Sequence, residues 1–108
     1  MCDSLSATPP ESVHVVRDAA SGLDGVIVLH STRRGPAAGG CRLWRYADSA
    51  GMARDAARLA EGMAYKNALA GLPLGGGKAV LNLPAEPFDR RRLFNACLLY
   101  TSDAADEL

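Results

Sequence analysis

Two lysines twelve residues apart carry the strongest chemical signal in this 108-residue chain: Lys66, within Met63-Ala64-Tyr65-Lys66-Asn67, and Lys78, closing Leu74-Gly75-Gly76-Gly77-Lys78. Lys66 falls among the apolar positions of a helical pattern, where lysine is seldom found without a partner. Lys78 follows three glycines. Such a run costs conformational entropy, which a chain carries where the backbone needs unusual dihedrals or a ligand must come near. Two ammonium groups converging on one pocket would hold a small carboxylate. Burial and a nearby like charge both favour the neutral form of an amine, so one member of such a pair suits proton transfer. Gly39-Gly40 is a third element, bare backbone able to line a pocket and present its amides or carbonyls. Each feature also has a plainer account: a lysine whose stem lies on an apolar stripe and whose head reaches water, a glycine connector between helix and strand, and a bulge at a strand entry.

Other chemistries fail on specific positions. A phosphate-binding loop needs glycine where Leu72 stands and a hydroxyl residue where Ala79 stands. The chain has no G-x-G-x-x-G segment, so it does not supply a dinucleotide-binding half. His14 and His30 are isolated. The three cysteines, Cys2, Cys41 and Cys97, form no CxxC pair, so neither a zinc site nor a disulfide framework is expected, and a reducing cytoplasm fits. Cys41 reads as a small packed side chain, Arg42 as a solvated edge-strand residue and Trp44 as core.

The elements that must position the lysines follow from the pattern. Val13–Val16 is a short strand, and Asp18 to Gly25, with Gly22 and Asp24-Gly25, signals a turn between extended runs. Val26–His30 is apolar on both faces, as in a central strand of an α/β sheet. Ser31–Ala38 is a loop containing Gly35-Pro36, and a strand to Trp44 is entered through Gly39-Gly40. Asp48 or Ser49 can cap a long helix whose apolar face carries Met52, Ala56, Leu59, Met63 and Ala70, with Gly71 and Pro73 ending it. Lys78–Leu83 is a further strand, and Asp89 opens another helix. This order specifies an α/β domain, a mixed sheet with flanking helices.

Composition sets the limits. With 48% hydrophobic and 22% charged residues the chain is globular, and its zero net charge points to no nucleic acid. No apolar run approaches the roughly 20 residues of a membrane span. Residues 1–11 read as a flexible leader without secretory character. Residues 97–108 read as the translation of a transposon-end sequencing adapter rather than native sequence, leaving residues 12–96 as a truncated domain. Without the tail's Asp103, Asp106 and Glu107, twelve bases face nine acids, a net charge of +3.

Gly35-Pro36-Ala37-Ala38-Gly39-Gly40-Cys41-Arg42, Gly62-Met63-Ala64-Tyr65-Lys66-Asn67-Ala68 and Leu72-Pro73-Leu74-Gly75-Gly76-Gly77-Lys78 together resemble the N-terminal, substrate-binding and dimerisation domain of the glutamate/leucine/phenylalanine/valine dehydrogenase family. The resemblance spans roughly residues 12–95 and is nearest the leucine/phenylalanine/valine branch. It implies NAD-dependent oxidative deamination of an L-amino acid to a 2-oxo acid and ammonia in a homo-oligomer, with residues 12–30 candidates for pairing across a subunit interface. By the same resemblance Lys78 is the catalytic lysine, activating the water that attacks the iminium; Lys66 binds the α-carboxylate; and Gly39 and Gly40 face the substrate amino group. Ala38 stands where glutamate enzymes carry a lysine, which implies an apolar substrate (phenylalanine, leucine or valine) and leans toward phenylalanine. NAD and the family's catalytic aspartate would belong to sequence beyond residue 96, so the chain as given is expected to be inactive. The alternative is a stand-alone, non-catalytic amino-acid-binding or assembly module.

Overall fold

The computed structural model describes residues 9–84 and 87–97. Most of the expected leader and nearly all of the expected adapter tail lie outside the described residues. Glu11, at the end of that leader, is already tied to the sheet: its amide donates to the His30 carbonyl, and its carboxylate accepts from the Thr32 hydroxyl at 2.7 Å.

Strand β1 (Ser12–Asp18) and strand β2 (Leu23–Ser31) form an antiparallel hairpin. The turn occupies residues 19–22, within the expected stretch from Asp18 to Gly25 and at Gly22 rather than Asp24-Gly25. Gly22 takes φ +79 and its amide donates to the Asp18 carbonyl, while the Ser21 hydroxyl donates to the Asp18 carboxylate at 2.7 Å. Gly25 instead lies within β2, where a Cβ would stand 2.5 Å from the Val80 carbonyl oxygen. β2 is buried on both faces over residues 25–29, as its apolar run predicts.

Strand β5 (Gly75–Asn82) pairs antiparallel with β2 and carries β3 (Ala37–Ala38) and β4 (Cys41–Trp44) in parallel along its other side. The register from Ala37↔Gly75 and Ala38↔Gly76 continues unshifted through Cys41↔Ala79 to Trp44↔Asn82. β3 and β4 are therefore one edge strand interrupted at Gly39-Gly40, opposite Gly77-Lys78. The expected mixed sheet with flanking helices is what the chain forms.

Helix α1 (Ser49–Leu69) connects β4 to β5. Asp48 caps it by accepting from the Gly51 amide at 2.6 Å. At the other end Gly71 adopts φ +73, with Gly71 N–H on the Ala68 carbonyl and Leu72 N–H on the Asn67 carbonyl, a Schellman cap. The buried face is rotated from the expected one. It carries Met52, Ala56, Ala60 and Asn67, while Leu59 is only half-buried and Ala70 is exposed. The cause is Gly76, where a Cβ would meet Ala64 N at 2.2 Å and Ala60 O at 2.4 Å. The helix backbone lies directly on the strand there, so alanines rather than leucine must point at the sheet. The expected start of this strand at Lys78 is corrected for the same reason. Gly75, Gly76 and Gly77 are buried strand residues, not a connector, and a Cβ on Gly75 would stand 1.7 Å from the Ser31 carbonyl oxygen.

Beneath α1 the core consists of Val26, Val28 and Val80 with Met52, Ala56 and Ala60. On the opposite face Val16, Leu23, Ile27, Leu29, Ala79 and Leu81 pack against Leu93 and Cys97 of a final helix over residues 90–97. Asp89 starts that helix, as expected, by accepting from the Arg92 amide. The sheet is thus covered on both faces. Along β1 the alternation is that of an edge strand, with Val16 buried and Val13 and Val15 exposed.

Two glycine substitutions separate packing from propensity. Gly76→Ala is expected to destabilise the domain by about 3 kcal/mol, the upper end of overpacking costs. Gly62→Ala, mid-helix with nothing within 4 Å of its Cβ position, is expected to stabilise it by about 0.5–1 kcal/mol. Urea unfolding midpoints of the two variants check the pair.

Candidate active site at the break in the sheet edge

The interruption between β3 and β4 is built from backbone that cannot carry side chains. A Cβ on Gly39 would lie 1.7 Å from the Gly77 carbonyl oxygen and 3.3 Å from Met63 Cγ. The ladder nonetheless runs on across the break: Gly75 N–H donates to the Pro36 carbonyl at 3.0 Å and Ala79 N–H to the Gly40 carbonyl at 3.1 Å. Gly40 differs from Gly39 in having open space beside it. The atom nearest its Cβ position is Lys78 Nζ, at 3.4 Å. Lys78 pairs with Val28 and shares a strand face with Gly76 and Val80, which places its Cβ on the α1 side of the sheet. The side chain is half-buried and brings its ammonium to the Gly40 backbone.

Gly39, Gly40 and Lys78 are among the residues that line one cavity of about 370 Å³ at the break, together with Ile27, Leu29, Ala37, Phe94 and Cys97. Its walls are mainly apolar, with the lysine as the charged group among them. Lys66 and Ala38 do not line this cavity. Lys66 is exposed on the flank of α1, one turn after Met63, the residue that lies against Gly39. Ala38 is half-buried in β3. The fold therefore brings Gly39, Gly40 and Lys78 together, with Lys66 on the neighbouring helix flank.

Asn67 is the residue that sequence reasoning passed over. Only 7% exposed, it donates from Nδ2 to the Gly75 carbonyl at 2.7 Å and to the Ala38 carbonyl at 3.4 Å. Its spacing of seven from Ala60 and eleven from Ala56 would have marked it as buried, had the stripe been centred on those alanines rather than on Leu59 and Ala70.

Cys41, expected to be packed, is exposed at the cavity. Its hydrogen bond with the Cys97 thiol and partial burial of its sulfur push the thiol pKa up, opposed weakly by the Lys78 charge. Trp44, expected in the core, is 56% exposed at the end of β4, and the Arg42 guanidinium stacks on it at 4.7 Å from the ring centroid. Arg42 is not a freely solvated edge residue, because it also approaches Asp55 of α1 at 3.5 Å. Asp55 accepts from the Tyr46 hydroxyl and, at 2.6 Å, from Arg58. Burial alone would raise the Asp55 pKa, but the hydrogen bonds from Tyr46 and Arg58 and the charges of both arginines outweigh it and hold the carboxyl below its usual range. Burial and the Asp55 contact push Tyr46 up to about 12. This cluster fastens the first half of α1 to β4.

The Gly75-Gly76-Gly77 run lies under α1 and against β2 as buried strand backbone. Among the described residues no group of three His, Cys, Asp or Glu side chains could hold a metal ion, and no helix is long and apolar enough to cross a membrane.

The mixed sheet with its flanking helices has the fold of the N-terminal regions of amino acid dehydrogenases. The model of the family described as Glu/Leu/Phe/Val dehydrogenase, dimerisation domain, matches residues 10–108, and the chain belongs to that family. Over 71 residues, 66% of this chain, it is 58% identical to a valine dehydrogenase of Streptomyces albus and 51% identical to a leucine dehydrogenase of Bacillus subtilis, covering 20% of each relative. Among solved structures, L-tryptophan dehydrogenase from Nostoc punctiforme is similar with a TM-score of 0.80 and 33% identity, over 88% of this chain and 28% of that one. The chain spans about one fifth of the length of the curated relatives named here.

The pKa shifts at Asp55 and Tyr46 set the pH dependence of the α1–β4 clamp. A carboxyl lowered on folding contributes stability above its unfolded pKa, near the ordinary 3.8, and that contribution is lost as pH falls through the folded value. A phenol raised to about 12 contributes stability below its ordinary 10.0, lost as pH rises from 10 toward 12. Asp55→Asn is expected to flatten the acid limb and Tyr46→Phe the alkaline limb of a thermal-midpoint-versus-pH curve.

Proposed function

We propose that this chain is the substrate-binding and assembly domain of an NAD-dependent L-amino acid dehydrogenase acting on an apolar amino acid, and that Lys78 is its catalytic lysine. The observation that carries the reading is the Lys78 ammonium at the Gly40 backbone, two residues that also help to line a mainly apolar cavity. Oxidative deamination removes a hydride from the substrate α-carbon and then hydrolyses the resulting iminium to a 2-oxo acid and ammonia. NAD, held by residues outside this domain, would supply the hydride acceptor. Lys78 takes a proton from the attacking water and stabilises the oxygen that becomes the ketone. Lys66 holds the substrate carboxylate from the α1 flank, and Gly39 and Gly40 face its amino group. The absence of charge at Ala38 supports an apolar side chain, and the names of the curated relatives favour valine or leucine over the phenylalanine that the size of Ala38 suggested.

The family's dimerisation role supports assembly into a homo-oligomer, with the exposed Val13 and Val15 on edge strand β1 as its surface. The cytoplasm, where NAD and amino acids are available, is its proposed location.

The test is steady-state kinetics on the product of the gene followed past the Ala96 codon. Lys78→Ala is expected to lower kcat by about 10²–10⁴-fold. Lys66→Met is expected to raise KM for the amino acid by about 10–100-fold, the worth of one hydrogen bond to a charged group. Valine and leucine are expected to turn over in preference to glutamate. A clear preference for glutamate overturns the substrate reading, and a stop codon directly after Ala96 favours the non-catalytic module.

A further inference from the structure

The structure assigns Asn67 to the site as a positioning residue, whose side-chain amide holds the carboxylate-binding end of α1 in register with the glycine break. The inference rests on the function proposed above. Three segments carry the site: the end of α1 with Lys66, the break at Gly39-Gly40, and β5 with Lys78. Asn67 touches all three. It follows Lys66 directly in the helix, donates to the carbonyl of Ala38 immediately before the break, and donates to the carbonyl of Gly75, three residues before Lys78. Its main-chain carbonyl accepts from Leu72 N–H in the cap that turns the chain from α1 into β5.

Other features do not fix this geometry. The helix dipole and the Schellman cap set where α1 ends but not how far it stands from β3. β3 is only two residues long, and its ladder to β5, continued through Pro36 and Gly40, fixes it to β5 but not to α1. Gly76 lets α1 settle on β5 through Ala60 and Ala64, but that contact says nothing about the outer strand. The Asn67 amide, with one N–H for each of two strands, is the direct tie from the Lys66 turn to the outer strand. An apolar residue of similar volume would keep the packing and leave both carbonyls without this donor.

The predicted signature is kinetic. Lys66 grips the carboxylate equally in the ground and transition states, so loosening its placement changes substrate affinity more than the chemical step. In the full-length enzyme, Asn67→Leu is expected to raise KM for the amino acid about tenfold, short of the ~10² that a misplacement of about an ångström can cost. The accompanying change in kcat is expected to be less than about threefold, with KM for NAD unchanged. Met52→Ala, in the buried stripe at the far end of α1, serves as the stability control. It is expected to lower the thermal midpoint at least as much while moving the amino-acid KM by less than about twofold. Should Asn67→Leu not fold, Asn67→Ser is read by the same criteria. An Asn67 variant whose KM stays at the wild-type value, or moves only as far as that of Met52→Ala, overturns the assignment. Lys78→Met, run alongside, separates the two ideas. If it retains full turnover, the functional reading falls and the Asn67 assignment with it. If it abolishes turnover while the Asn67 variants match the control, only the Asn67 assignment falls.

Discussion

At Gly76 the backbone of α1 rests directly on the backbone of β5, with no side chain between them. A methyl group there would collide with Ala64 N and Ala60 O. This approach is closer than the roughly 10 Å spacing that layers with ordinary side chains adopt. It forces the buried stripe of the helix onto Ala56 and Ala60, swings Leu59 and Lys66 toward the flank, and aims Asn67 at the strands. The same run of glycines lets β5 lie against Ser31 on one side while Gly77 lies under Gly39 on the other. The site is thus set by what the backbone lacks.

The helix is held differently along its length. Its first half is fastened by charge: Asp55 gathers Tyr46, Arg42 and Arg58, and Trp44 lies under the guanidinium. Its second half is fastened by small residues and one amide. Partly exposed ion pairs contribute modestly and weaken with salt, whereas backbone contact and buried hydrogen bonds do not relax with ionic strength. The half that carries the proposed carboxylate-binding lysine therefore depends on the less adjustable kind of contact.

Much of this was legible in the residue order. The apolar run of β2 announced a central strand, and Asp48 and Gly71 announced the ends of α1. What could not be read was the direction of side chains. A hydrophobicity pattern centres a helix on its largest apolar residues, so it favoured Leu59 over Ala60 and put Lys66 inside the stripe. Only the missing Cβ of Gly76, a tertiary contact, rotates the helix to its true face. Of the two glycine signals in the stretch from Asp18 to Gly25, Gly22 makes the turn, and Gly25 is needed for its approach to the Val80 carbonyl rather than for bending. Trp44 was placed in the core on size alone, yet the edge position of β4 leaves its ring to Arg42 and solvent.

The exposure of Lys66 beside the partial burial of Lys78 follows from their two elements. A lysine on a helix flank keeps its head in water until a carboxylate replaces that water, so its desolvation cost falls at the moment of binding. A lysine that shares a strand face with Gly76 and Val80 has part of its stem covered in the fold itself, and its ammonium meets the Gly40 backbone before any ligand arrives. In the proposed function the strand lysine is the one at a fixed point and the helix lysine the one that captures the carboxylate. That division requires the distance between the α1 end and the broken strand to be constant. Among the described residues the bonds that run directly from α1 to the carbonyls of β3 and β5 are those of the Asn67 amide.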